Sequence, residues 1–159
     1  EVEFLPAWII HWLRDVYLKY AKQFDNNEKI YIDRTESKFK HCQIQNDKEV
    51  FGFLKEKGFS KYRTGELSFF EQIYLFNNAK FVVGAHGAAF TNLTFCKPNT
   101  NIIEIKPSTH PNNVNKRISQ INNLNYRLIK TKELDENQKK FGDIYLPIEE
   151  LEHCIKSFS

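Results

Sequence analysis

The chain has 159 residues, 41% of them apolar and 14% aromatic, which suits one domain with a proper core and excludes a disordered segment. Its 23 lysines and arginines against 20 acidic residues leave a formal charge of +3, and no basic block is dense enough to argue for nucleic acid. No apolar run approaches the roughly 20 residues that cross a bilayer, and no signal-peptide pattern opens the chain.

Along the chain, Trp8, Leu13, Val16, Tyr17 and Tyr20 recur at spacings that predict an amphipathic helix over residues 7–24, ended by Asp25-Asn26-Asn27. Residues 29–33 are short and β-branched, a strand, and a polar loop follows to Gln45. Asn46 with Glu49 resembles a capping box and opens a helix that closes at Gly58. Residues 59–63 read as a short strand. Ser68 and Glu71 form a better capping box for a helix to about residue 78. A strand over 80–83 leads into Gly84, a short helix spans 88–95 before Lys97-Pro98, and a strand covers 101–105. Residues 114–123 read as helix, 126–129 as strand, 132–140 as a charged linker and 144–146 as a last strand. Pro147 then suits the first turn of a closing helix.

Short apolar strands alternating with helices of about ten residues make βαβ units. The expectation is a single Rossmann-like α/β domain over residues 1–159, its parallel sheet covered by helices on both faces. Cys42, Cys96 and Cys154 are odd in number and lack metal-ligand spacing, so free thiols in a reducing compartment are expected, with no metal site. Methionine is absent, even at residue 1, which points to a piece of a longer chain. Four Asn-Asn pairs sit in unlike surroundings and reflect composition, not a repeat.

In an open α/β sheet, ligands bind outside the carboxyl ends of the strands. Gly84-Ala85-His86-Gly87-Ala88-Ala89 occupies such an end. Small residues there let a backbone approach a ligand and offer N–H groups at a helix start, a seat for an anion. His86 either donates to that anion or caps the strand, with the small residues serving only helix packing. Arg34 follows the first strand directly, as a planar fork for phosphate oxygens or as a surface residue. Glu104, in Ile-Ile-Glu-Ile, either holds ribose hydroxyls or forms a buried ion pair with Lys106 or another lysine. Asn92 locks the turn or contacts a ligand. His11 and His110 read as surface or packing residues. No Gly-x-Gly-x-x-Gly, nucleophile elbow or Walker loop is present, and a small hydrolase built on His86 lacks a nucleophile.

The order of these features resembles the C-terminal half of family 61 glycosyltransferases. The resemblance runs over roughly residues 30–106. It rests on Tyr31-Ile-Asp-Arg34, Asn46-Asp-Lys-Glu49, Gly58-Phe59, Leu67-Ser-Phe-Phe-Glu-Gln72, Val82-Val-Gly-Ala-His-Gly-Ala88, Asn92 and Ile103-Glu-Ile105. Basic residues usual before the Asn helix start are replaced by Cys42-Gln43-Ile44-Gln45, with Lys38 and Lys40 as substitutes, and Ala89 stands where the family has glycine.

The resemblance implies one lobe of a two-lobed GT-B enzyme that inverts the anomeric centre, moving a hexose or pentose from a UDP-sugar to a glycan or protein. Arg34, Gly87 and Ala88 would hold the diphosphate and Glu104 the ribose. Asn46, Gln72 and Asn92 would shape or contact the site, and His86 would assist departure of the leaving group. No metal or other cofactor is implied. Bacterial members assemble surface polysaccharide from the cytoplasmic face, eukaryotic ones work in the secretory lumen, and peripheral membrane association would come from regions outside this chain. The alternative is a non-catalytic nucleotide- or partner-binding module of the same fold.

Overall fold

The computed structural model describes residues 4–35, 42–132, 134 and 142–158. Strands Lys29–Ile32 (β1), Ser60–Tyr62 (β2), Phe81–Ala85 (β3), Asn101–Pro107 (β4) and Asn125–Thr131 (β5) build one sheet ordered β2-β1-β3-β4-β5. Every neighbouring pair is parallel. From β1 the chain first adds β2 on one side and then crosses to add β3 on the other. That reversal makes the β1/β3 boundary the switch point, outside whose carboxyl ends a crevice forms.

Parallel strands need both faces covered, and their side chains alternate between them. Ile30, Ile32, Val82 and Ile102 point to one face. They pack there against helices Ala7–Tyr17 (α1), Phe69–Asn78 (α3) and Val114–Ile121 (α4), and against a 3-10 helix at Ala88–Phe95. Tyr31, Val83, Ile103 and Ile105 point to the other, against Asp47–Glu56 (α2) and Ile148–Lys156 (α5). The expected Rossmann-like α/β architecture is therefore the observed one.

Local chemistry sets the element ends. Gly58 ends α2 at φ 83°, where a side chain is strained. Its N–H reaches Lys55 O at 2.9 Å while Phe59 N–H reaches Leu54 O at 3.0 Å, the paired bonds of a Schellman cap. Ser68 and Glu71 form the expected capping box, with Glu71 N–H donating to Ser68 Oγ at 3.3 Å and Ser68 N–H to Glu71 Oε2 at 2.9 Å. Gly84 is a close-approach glycine, since an added β-carbon would lie 3.0 Å from Phe90 and 3.1 Å from Ile32 Cβ.

Several expected boundaries move. The helix over 7–24 stops at Tyr17, followed by a 3-10 turn at Leu18–Tyr20. Ile10 is its buried residue, while Trp8 is 68% and Tyr20 52% exposed. The helix is thus rotated so that Arg14 faces inward, where it meets backbone carbonyls. Strand β3 continues through Gly84 to Ala85, and β4 continues to Pro107. Ile144 forms an isolated parallel bridge with Ile44 in place of a strand, and Pro147 is the N-cap residue of α5. Most of the expected 132–140 linker, with Lys38 and Lys40, lies outside the described residues. Cys42, Cys96 and Cys154 are free thiols, the first two buried.

Ser68→Ala removes the cap acceptor and should cost about 1 kcal/mol of stability. Urea unfolding checks this, and an unchanged midpoint would show that the box contributes nothing.

Candidate functional site

The site grows from the carboxyl ends of β1, β2 and β3. Arg34 lies just past β1, and Gly87 is the N-cap residue of the 3-10 helix. Gly87 has extended backbone, φ 166°, so its conformation does not demand glycine. Space does: an added β-carbon would lie 2.1 Å from Arg34 Nη1 and 2.4 Å from its Cζ. The guanidinium occupies the volume that any other residue at 87 would fill. Burial draws the Arg34 pKa down, but a guanidinium remains protonated at any working pH.

Arg63, just past β2, was missed in the sequence, although the argument that singled out Arg34 applies equally to it. Its Nε donates to Asp33 Oδ2 at 2.9 Å and its Nη1 to Glu66 Oε1 at 3.3 Å. Burial raises the Asp33 pKa, but hydrogen bonds from the Thr35 amide and Arg63 outweigh it and hold the carboxyl below its ordinary range. Asp33, Arg34, Arg63, Thr64, Gly65, Ala88 and Ala89 line a cleft of about 360 Å³, in which the Asp33 carboxylate is held by Arg63.

Beside the cleft, His86 Nδ1 lies 2.5 Å from Glu104 Oε1. Glu104 also receives Asn115 Nδ2–H at 2.7 Å on Oε1 and the Tyr126 hydroxyl on Oε2. The carboxylate is buried, 1% exposed. Burial pushes its pKa up, yet hydrogen bonds from His86, Tyr126 and Asn115 and the nearby His86 charge prevail and hold it below the usual carboxylate range. Burial and the adjacent carboxylate push the Tyr126 phenol strongly up, so that hydroxyl stays a donor. His110, expected as a surface or packing residue, sets its ring 4.0 Å from that of His86, centroid to centroid.

Glu104 lies within β4 and not at its end, its carboxylate oxygens are engaged by His86, Asn115 and Tyr126, and among the described residues no lysine forms an ion pair with it. The reason is register: residue 104 shares a face with Ile102, and β4 runs on past it. Gly84 is its partner on β3 and Leu128 on β5. Lys106, offered as its ion-pair partner, instead donates to Asn112 O at 2.6 Å.

Gln72 and Asn92 brace the site from behind. Gln72 Nε2 donates to Thr64 O at 2.9 Å and Leu67 O at 3.1 Å, and its Oε1 accepts from Asn92 Nδ2 at 2.9 Å. They thereby tie the Thr64–Leu67 loop to the 3-10 helix. Asn46 sits away from the cleft: its amide exchanges hydrogen bonds with the Leu146 backbone at 2.8 and 3.0 Å. Its side chain does not cap α2. At the far end of the 3-10 helix, Arg14 donates to Thr94 O and Cys96 O, both at 2.7 Å, Asn122 to Leu93 O and Thr94 O, both at 2.9 Å, and Asn77 to Phe95 O at 2.9 Å. Among the described residues no group of three or more His, Cys, Asp or Glu is placed to hold a metal.

A five-stranded doubly wound parallel sheet, with a cleft at its switch point lined by Asp33, two arginines and a helix start, defines a Rossmann-like α/β domain. The family model for glycosyltransferase 61 matches residues 2–103, and the chain belongs to that family. Its chemistry is accordingly glycosyl transfer from a donor to an acceptor. Comparison with curated proteins gives no significant match.

The lowered Glu104 pKa carries a pH consequence. The unfolded state, with an ordinary glutamate value of about 4.3, binds the proton first as pH falls. The carboxylate's contribution is complete above that value and is lost as pH falls through the lower folded one. Glu104→Gln should therefore flatten the decline of stability below about pH 4.3. Urea midpoints at neutral and acidic pH test this, and parallel profiles for the two proteins would refute it.

Proposed function

We propose that the cleft receives the diphosphate of a UDP-sugar and that this domain is the donor lobe of an inverting GT-B glycosyltransferase. The observation that carries the reading is convergence: Arg34, Arg63 and the start of the 3-10 helix line one cleft at the β1/β3 switch point. Guanidinium forks match phosphate oxygens in pairs, and the N–H groups of a helix start add donors for negative charge. In the reaction the acceptor hydroxyl oxygen bonds to the anomeric carbon from the face opposite the diphosphate. The bond from that carbon to the phosphate oxygen breaks, inverting the centre, and the hydroxyl proton passes to a general base on the acceptor side.

The leaving diphosphate gains charge as it departs, and preorganised cations and N–H donors stabilise it without a metal. His86, adjacent to Gly87, assists that departure. Gln72 and Asn92 keep the Thr64–Leu67 wall in place. Asn46 and Glu104 act through the fold and not by touching the nucleotide.

Isothermal titration of UDP into the protein tests the reading. Arg34→Ala and Arg63→Ala should each weaken binding roughly tenfold or more, since a hydrogen bond to a charged group contributes about 1.5–3 kcal/mol. Absence of UDP binding, or unchanged affinity in the double variant, would sink the proposal.

Gly87→Ala gives an independent check. The new β-carbon meets the flexible end of Arg34, so the guanidinium should shift while the fold survives. UDP affinity should then fall toward that of Arg34→Ala with the thermal midpoint little changed. A Gly87→Ala protein that binds UDP like the wild type would remove Arg34 from the phosphate seat.

A further inference from the structure

The group of polar side chains beneath the 3-10 helix start is larger than phosphate binding requires. It joins His86, Glu104, Asn115 and Tyr126 from four separate elements. The donors fix its protons. Asn115 Nδ2–H and the Tyr126 hydroxyl both give hydrogens to the Glu104 carboxylate. A carboxylate accepting from both is favoured in its ionised form, which has acceptors only. The 2.5 Å contact with His86 Nδ1 must then carry its hydrogen on the histidine, and Asn115 Nδ2, 3.4 Å from that nitrogen, gives its hydrogen to the nearer carboxylate at 2.7 Å. The reverse assignment of the Asn115 amide would aim its oxygen at the carboxylate, which repels it.

We infer that Glu104 is a positioning residue for His86: it fixes the imidazole in its Nδ1–H form and leaves Nε2 as the nitrogen through which the ring exchanges protons or hydrogen bonds with a ligand. The tautomer of one histidine nitrogen is set by the bond the other makes, and here that bond is to a buried anion. The rest of the residue is held too. His86 N–H donates to Ile105 O at 2.7 Å, and the His110 ring covers it from the loop after β4. Nδ1 is thereby committed to the interior, and Nε2, which carries the lone pair in this tautomer, is the nitrogen left to accept a proton or a hydrogen bond from a ligand.

The inference rests on the His86 role proposed above, and its test does not depend on that role. Long-range proton–nitrogen NMR spectra of the nitrogen-15-labelled chain report the tautomer of each ring. The wild type at a pH where the ring is neutral should show His86 protonated on Nδ1. Glu104→Gln should shift it to the Nε2–H form or to a mixture, while Asn115→Ala, which keeps the carboxylate, should retain Nδ1–H. His86 found as Nε2–H in the wild type, or an unchanged tautomer in a folded Glu104→Gln protein, would overturn the inference. Should Glu104→Gln fail to fold, by far-ultraviolet circular dichroism, the wild-type spectrum decides alone. Titrating UDP into the same samples separates the two ideas. Nδ1–H without UDP binding removes the donor site and leaves the tautomer lock standing, whereas Nε2–H with UDP bound removes only the lock.

Discussion

The constraint on which the structure depends is that a parallel sheet is covered on both faces. Once Ile30, Ile32, Val82 and Ile102 are committed to one layer, and Tyr31, Val83, Ile103 and Ile105 to the other, the side chains of the central strands have no solvent to reach. Reactive groups gather instead where the strands end, and the strand order opens a crevice between β1 and β3. Glu104 is the exception that shows the rule. It sits within a strand, so it must be neutralised by partners from other elements, and those partners bring a histidine under control.

Much of this was legible in the chain. The strand–helix alternation predicted the architecture, and Ser68 with Glu71 predicted the start of α3 because a capping box is a local device that needs no tertiary information. The bend at residues 84–88 was recognised from its small residues. Its detail was not, because Gly84 is small for the sake of Phe90 and Ile32, and Gly87 for the sake of Arg34. Ile32 and Arg34 lie far away in sequence from the glycines they constrain. The surroundings of Glu104 were hidden for a related reason. The strand was expected to end at Ile105, whereas buried Lys106, which bonds into the following loop, carries it on to Pro107. Counting by twos from Ile102 would have placed Glu104 inside, but nothing in the sequence names Tyr126 and Asn115 as its donors.

The family match and the site divide the chain unequally. The matched span ends at Ile103, one residue before the carboxylate, and Asn115 and Tyr126 lie beyond it. The span contains Arg34, Arg63, His86 and Gly87, the groups at the cleft. The segment after it supplies what steadies His86. Asn46, which the family pattern made a site candidate, joins residues 46 and 146 across the chain through its side-chain amide.

The contact between Arg34 and Gly87 alters when disorder is removed. A free arginine side chain carries about 2 kcal/mol of rotamer entropy, and an anion that captures such a chain must freeze it at the moment of capture. Here the guanidinium already rests in the space left by a missing side chain, so most of that freezing happens as the chain folds. Under the proposed function, the diphosphate would meet a fork already placed, and geometric selectivity at this position would follow from the absence of a single carbon at residue 87.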